Sequence, residues 1–582
     1  MFKAMYACLL VALLMVFAAC GGGGAAPPAG TGDTGAEGQA AAPATDTEEL
    51  AADAAERVTI TMAINVQKGA CDTEPGWKFQ TVLEMEEMLG INLELRSQTP
   101  DQDTLMIASR DMPDIFNAHA DYMVQLIEGG LIRPLDDLLY PHAPDLLAQE
   151  FKLDFARRFL SNGTGYLFGI TSFTGQTGNG FMPAIGFFSR WDLYRELGFP
   201  SIENADEVLD VVYRMVQMEP YTPDGLPTFG FGVFTDWGMW PFTVYPTQSA
   251  VGAIIASNSW GLREDGTEFV NFTDFYGPMW DNLRLLNRSH QLGIFDVDSL
   301  TQRSDEYANK AALGQYMVIN ASWWVTDFNT RQFQMDPDTL VGFQLLPMYR
   351  SEVYDNTSRA SGAVDWMHVI SADSQHPEAA MRLINYLNSY DGIRHLMNGR
   401  IGETIELVDG RPEMKQEVIE GFASGDAAFT NLFWRNQNMF GFTAATRHPV
   451  DGQPLDLFLT DRAFSLRNTP MDLDYAQHFG ALYPYGVVTE MIAQGRMFDR
   501  SWFDYDVTGA MQHAPDNIQR IDTLLSDIIF RAAAAAILAP DDDAFRAVFD
   551  STVTEMEASG LELSTEFWRD NFHEARMAIH GN

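Results

Sequence analysis

Apolar positions near the start of the folded chain change period twice. Val58-Thr59-Ile60-Thr61-Met62-Ala63-Ile64 is a β-rich run that predicts a first strand. A loop, Asn65 to Gly76, follows. From Trp77 to Leu89, Phe79, Val82, Leu83 and Met85 fall at helical spacing, and Gly90 ends the pattern. Ile91-Asn92-Leu93-Glu94-Leu95 alternates again and predicts a second strand. Strand, helix and strand in this order form a βαβ unit, the building block of a parallel sheet. The carboxylates Glu84, Glu86 and Glu87 on the intervening helix read as a solvated face. Ile518 to Leu538 carries a further helical pattern.

The first 56 residues follow a different rule. Lys3 is a minimal positive region, Leu9 to Phe17 is a short apolar core, and Ala18-Ala19 supplies small residues for cleavage. Residues 1–19 therefore read as a secretory signal, too short for a good membrane span. Phe17-Ala18-Ala19-Cys20 resembles the bacterial lipobox, with Phe17 where that motif usually has Leu. The resemblance implies cleavage before Cys20, acylation of its sulfur and localisation on the outer face of the cell membrane. After Cys20, residues 21–56 are almost entirely Gly, Ala, Pro, Thr, Asp and Glu, a composition that cannot bury enough apolar surface to order itself; residues 20–56 read as a disordered tether. Beyond Glu56 no apolar run is long enough to cross a bilayer. With Cys8 in the signal and Cys20 acylated, Cys71 has no partner, and no disulfide is expected.

The 526 residues after the tether suit a protein of two lobes. Net charge is −43, and residues 1–56 hold only one lysine against seven carboxylates, so the folded part is strongly acidic. That opposes nucleic-acid binding and disfavours a polyanionic substrate unless a local basic cleft overrides the average. Aromatic residues make up 12% of the chain, with twelve Trp.

Seven segments in order resemble the extracellular solute-binding proteins of bacterial ABC importers, in particular the long lipoprotein members that handle oligosaccharides. They are Asp111-Met112-Pro113-Asp114-Ile115, the Gly129 to Asp137 run GGLIRPLDD, Tyr166-Leu167-Phe168-Gly169-Ile170 and the Arg190 to Gly198 run RWDLYRELG. The Gly314 to Trp324 run GQYMVINASWW, the Pro377 to Leu387 run PEAAMRLINYL, and Gly392 to Gly402 with Gly399 and Ile401 complete the set. The resemblance implies an α/β fold of the two-lobed periplasmic-binding-protein type (type II). Each lobe would have a central sheet flanked by helices, with an extended helical C-terminal part. It implies lobe one over 57–170 plus 361–402 and lobe two over 171–360 plus 403–582. It further implies a monomer without cofactor or enzymatic activity that captures a carbohydrate, an oligosaccharide in the first place, between the lobes and delivers it to the permease subunits.

Sugars present flat C–H faces that suit aromatic rings and a rim of hydroxyls that suits polar side chains. Candidate ligand-binding residues are therefore aromatics in loops at strand ends: Trp77, Phe173, Trp237, Trp240, Trp323, Trp324 and Trp366 with Asp365, and the pair Trp434-Arg435. Each Trp has core packing as its alternative. Adjacent residues in extended chain point oppositely, so one of Trp323 and Trp324 is expected to face the cleft. Trp191 and Trp280 sit within helical patterns and read as core, and Arg190 is expected to bond locally. Glu219 to Gly230 stands where many long members carry a calcium loop, but Pro223, Leu226 and Pro227 replace potential oxygen ligands, so no metal is expected. Neither GxSxG nor HExxH spacing occurs. Two alternatives stay open: a binding protein for a peptide or cationic solute, favoured by the negative field and by cation–π binding, and a secreted glycoside hydrolase, which needs only two carboxylates across the bond.

Overall fold

The computed structural model describes residues 57–581 apart from 66–77, 99, 173–174, 177–184, 244–253, 256–259, 263–268, 272–276, 347–350, 354–357, 360–365, 436–439, 443–445 and 500–504. The signal, the tether with Cys20, and the candidates Trp77, Phe173 and Asp365 lie outside the described residues.

The chain runs β1 (Val58–Asn65), α1 (Gln80–Leu89), β2 (Ile91–Gln98), β3 (Ile115–His119), α2 (Glu150–Phe159) and β4 (Gly169–Thr171). It continues through β5 (Ile185–Arg190), α3 (Ala205–Met218), α4 (Pro278–Gln291), β6 (Val318–Ala321), α5 (Thr326–Met335) and β7 (Phe343–Leu345). Then come β8 (Trp366–Ile370), α6 (Pro377–Leu387), α7 (Tyr390–Asn398) and α8 (Gln416–Ala423). The last part is helical: α9 (Asp461–Arg467), α10 (Pro470–His478), α11 (Pro484–Ala493), α12 (Tyr505–Gly509), α13 (Asp516–Ile537), α14 (Asp542–Ala558) and α15 (Leu561–His580).

The first lobe is built on a five-stranded sheet of order β2-β1-β3-β8-β4. β1 and β2 are parallel from Val58↔Ile91 to Asn65↔Gln98, the arrangement the βαβ pattern called for. Gly90 ends α1 in the left-handed region at φ 64°, where its N–H bonds the carbonyls of Glu86 and Glu87. Strand alternation sorts the sheet's two faces. Ile60, Met62 and Ile64 pack with Val82 and Met85 of α1 and with Leu383 and Ile384 of α6. Ala63 packs on the opposite side with Phe116, Ala118, Met367 and Val369. Burying each larger aliphatic contributes about 1.5–3 kcal/mol. The carboxylates of α1 depart from the solvated face expected of them. Glu84 and Glu86 are buried, because α1 lies under α7 and β2. Glu84 binds His395 at 2.7 Å and Arg400 at 3.0 Å, and Glu86 binds Lys78 and the Leu93 N–H.

The second lobe holds an antiparallel sheet of order β6-β5-β7. Residues 229–232 run beside β6: Met317 N–H donates to the Phe229 carbonyl at 2.8 Å and Val318 N–H to that of Gly230 at 3.1 Å. Its core gathers Trp191 and Trp280, both buried as expected, with Leu525, Ile528 and Ile529 of α13, Phe545 and Phe549 of α14, and Met471 and Tyr475 of α10. Most of the helical C-terminal part, α10, α11, α13 and α14, is thus built into this lobe. The segment just before it is not. Trp434, Phe440, Phe442 and Leu455 pack in the first lobe's core, although a boundary at residue 403 assigns them to the second. Ile405, Met414, Val418, Phe433 and Phe458 form a small cluster beside them. Among the described residues no helix is long and apolar enough to cross a membrane.

Candidate functional site

Strand directions decide where a ligand could meet both lobes. β1, β2 and β3 are parallel, β8 opposes β3, and β4 opposes β8. The carboxyl ends of β1 to β4 and the amino end of β8 therefore share one edge. In the second lobe β6 and β7 both oppose β5, so their carboxyl ends share an edge with the amino end of β5. The chain passes from β4 to β5 and from β7 to β8, which is from one of these edges to the other. Residues 175–176 and 358–359 pair antiparallel within those two passages. Ligands of α/β sheets bind at such carboxyl edges.

On the second lobe's edge four sequence candidates come together. Trp323 and Trp324 follow β6, and Trp237 and Trp240 follow the segment that runs parallel to it. Ring centroids lie 5.4 Å apart for Trp237 and Trp240, 6.0 Å for the stacked Trp240 and Trp323, and 5.9 Å for Trp237 and Trp324. Residues 322–324 form a 3-10 turn rather than extended chain, so Trp323 and Trp324 both join the cluster instead of pointing apart. Trp237 is 40% exposed, and Trp240, Trp323 and Trp324 are half-buried. Phe234 and Tyr307 back the cluster, with Tyr307 stacked on Tyr316 at 5.0 Å. Tyr316 is held by its hydroxyl, which donates to Asp296 at 2.8 Å and accepts from Gln302 at 2.9 Å. Burial, reinforced by the Asp296 charge, pushes this phenol far above its ordinary pKa, so it stays a proton donor.

The polar groups at this edge are as informative as the rings. The indole N–H groups of Trp323 and Trp324 are buried and bond no atom of the described residues. Asn320, on β6 and 0% exposed, has neither its amide oxygen nor its amide nitrogen bonded. Nearly all buried polar groups in folded proteins have partners, and leaving one without costs about 1–3 kcal/mol. Sequence reasoning missed Asn320. Its signal was its place in the run INASWW, three residues ahead of the first Trp on the same strand edge.

On the first lobe's edge, Trp366 opens β8 opposite His119, the last residue of β3. The two rings meet edge to face at 5.3 Å. Ser172 N–H donates to the Trp366 carbonyl at 3.0 Å, fixing the start of the passage between lobes. His119 pairs with Asp121 at 3.1 Å, and that hydrogen bond holds the Asp121 carboxyl below its usual range. His119 was also missed; its place at the carboxyl end of the strand begun by Asp114-Ile115 marked it.

Trp434 and Arg435 do not join either edge. Trp434 is 0% exposed in the first lobe's core, and Arg435 is bound to Asp456 and stacked over Phe458 at 4.6 Å. The adjacent fork and indole looked available because sequence does not display the burial of residue 434. Arg190 bonds locally as expected, to Asp192 and to Glu219 at 2.9 Å. In the loop after α3, Glu219 is thereby engaged, Asp224 lies 3.6 Å from Arg331, and the Thr222 hydroxyl accepts from Leu226 N–H at 3.2 Å.

No functionally curated protein matches the chain by sequence. Solved structures do match. An HMO-binding solute-binding protein associated with an ABC transporter, from Bifidobacterium longum infantis, superposes with TM-score 0.54 at 15% identity, covering 89% of this chain and 99% of that one. The alginate-binding protein AlgQ2 gives 0.57 at 14% identity over 89% and 98%. FusA of S. pneumoniae, solved with kestose, gives 0.56 at 14% identity over 90% and 100%. These likenesses establish the two-lobed fold. The family of bacterial extracellular solute-binding proteins matches residues 97–393, just over half of the 582 residues and the part that spans both strand edges, and this chain belongs to that family.

Proposed function

We propose that this protein captures a saccharide for an ABC importer, holding it between the aromatic edge of Trp237, Trp240, Trp323 and Trp324 and the facing edge of Trp366 and His119. One observation carries the reading. Apolar ring faces stand together with the unbonded donors of Trp323 and Trp324 and the unbonded amide of Asn320, which is the mixed surface that a sugar's C–H faces and hydroxyls require. A peptide or a cation would instead use backbone partners or carboxylates aimed at the site. The saccharides of the structural neighbours, kestose with FusA and alginate with AlgQ2, are consistent with the class of ligand without naming it.

In this proposal Cys20 is acylated, residues 20–56 tether the lobes to the outer membrane face, and the closed form docks on the permease. Lobe one comprises residues 57–170 and 361–466, which moves the boundary to follow the packing of Trp434 and Phe458, and lobe two comprises 171–360 and 467–582. Closure follows because a ligand that touches both edges binds the closed state better.

A thermal-shift screen of the full chain against oligosaccharides, peptides and polyamines tests the reading, since a ligand at a hundredfold excess over its Kd adds about 2.7 kcal/mol. Oligosaccharides should raise the midpoint and the other classes should not. A rise with peptides or polyamines alone overturns it. New reducing ends appearing on incubation with polysaccharide would mark a glycoside hydrolase instead.

A further inference from the structure

The first lobe's edge carries a row of residues that includes a carboxylate. The register sets Trp366 of β8 between His119 of β3 on one side and Ser172, the residue after β4, on the other. Strand alternation puts these three side chains on the face that also carries Ile115, Ile170 and Ile370. Asp121 extends the row from the 3-10 turn Ala120–Tyr122, which follows β3. Its Oδ2 stands 3.1 Å from His119 Nδ1, and the His119 ring meets Trp366 edge to face. A carboxylate is thereby held one imidazole away from an indole, and its side chain is 82% exposed. The other end of the row is enclosed. Ser172 is 0% exposed, and its hydroxyl bonds no atom of the described residues. Burying a hydroxyl without a partner disfavours the fold, so this one calls for a partner from outside it. One step deeper, β3 and β8 set Asn117 opposite His368, both buried, so polar side chains run from the edge into a sheet face otherwise lined by Ile and Met.

The C-terminal part reaches this edge as well. Asn571 of α15 holds the backbone of Gln512, accepting from its N–H at 2.8 Å and donating to its carbonyl at 2.7 Å. The next residue, His513, is exposed and lies close enough for its charge to act on the Asp121 carboxyl. With His119 on one side and His513 nearby, the carboxyl is kept ionised.

We propose that Asp121 is a hydroxyl-binding carboxylate beside the Trp366 ring, with the Ser172 hydroxyl on the far side of that ring, and that it restricts the ligand to neutral sugar residues at this edge. This rests on the saccharide reading above and sharpens it. A carboxylate only accepts hydrogen bonds, so it takes a pair of sugar hydroxyls through short, charge-assisted bonds. An acid-bearing sugar residue brings it a second acceptor-only anion and is repelled. The net charge of −43 acts in the same direction.

The test is calorimetric titration of the full chain at about pH 7.5, where an ordinary imidazole is mostly neutral. The probes are neutral oligosaccharides, each beside its counterpart carrying a uronic acid. The neutral form should bind about tenfold or more tighter. Asp121→Asn keeps the shape of the side chain and removes its charge. It should weaken neutral binding about tenfold and shrink the preference, with the ligand-free unfolding midpoint unchanged. Asp543→Asn, at an exposed carboxylate on α14, should change neither, which separates the local charge from the overall one. Ser172→Ala should weaken binding while the ligand-free midpoint holds or rises, because it removes a buried group that the fold leaves without a partner. If acid and neutral forms bind equally, or Asp121→Asn matches wild type with both, the carboxylate subsite is overturned and the saccharide reading stands. If Ser172→Ala lowers the midpoint and leaves affinity unchanged, that hydroxyl serves the fold and its part in the subsite is overturned. If no saccharide of either kind binds, the saccharide reading fails and the subsite fails with it.

Discussion

Lys152 is 1% exposed on α2, and among the described residues its ammonium meets only neutral acceptors, the Asn388 amide at 2.8 Å and the Gly441 carbonyl at 3.4 Å. Burial pulls its pKa from 10.5 down to about 7. Folding therefore depresses this pKa, and between about pH 7 and 10.5 the folded state holds fewer protons than the unfolded chain. The penalty this lysine places on folding is full below pH 7 and fades as pH rises through that window. Relative to Lys152→Met, wild-type stability should climb by about 1 kcal/mol per pH unit from pH 7 upward, read by denaturant titration. Parallel pH curves for the two proteins would show that Lys152 stays charged in the fold. At this scale sequence and structure part company most. Loop position alone pointed to Trp237 and Trp240, and family position added to it for Trp323 and Trp324, the four rings that the fold brings together. Trp434 was misread, and Asn320 and His119 were missed, because burial and hydrogen-bond satisfaction depend on residues hundreds of positions away.

The segment beside β6 shows how an element positions the site. A Cβ at Gly232 would come within 2.5 Å of the Tyr316 ring. Tyr316 cannot swing aside, being buried and tethered to Asp296 and Gln302, and it supports Tyr307 and through it Trp324. Gly232→Ala should therefore cost about 1–3 kcal/mol of stability and also weaken saccharide binding. A variant with wild-type stability and affinity would mean the strand has room to shift. The βαβ unit and the helix of Ile518 to Leu538 were readable from period alone, since their apolar faces are set locally. The burial of Glu84 and Glu86 was not, because α7 covers that face of α1 only after residues 390–398 return to it.

Over the whole molecule, three passages join the lobes, and α15 adds a helical clamp. Phe572 and Ala575 pack on Phe155 of α2 in the first lobe, with Val507 of α12 beside them. On the other side the Trp568 indole donates to Asp522 of α13 at 3.0 Å. Opening the lobes must pivot at this clamp or break it. Phe572→Ala removes its centre, so the ligand-free radius of gyration from solution scattering should rise while the ligand-bound value stays put. An unchanged ligand-free profile would show that α15 does not restrain opening. The two-lobed plan was legible through seven short segments in order, each weak alone. The return of residues 434–455 to the first lobe was not, since no local pattern records which sheet a loop packs against.

The most direct test of the site is a pair of calorimetric titrations with the saccharide selected by thermal shift, using Trp323→Ala from the second lobe and Trp366→Ala from the first. A ligand held between the two edges should lose about tenfold or more in affinity in each variant, with both folded as wild type. Unchanged affinity in both variants would contradict capture between these edges.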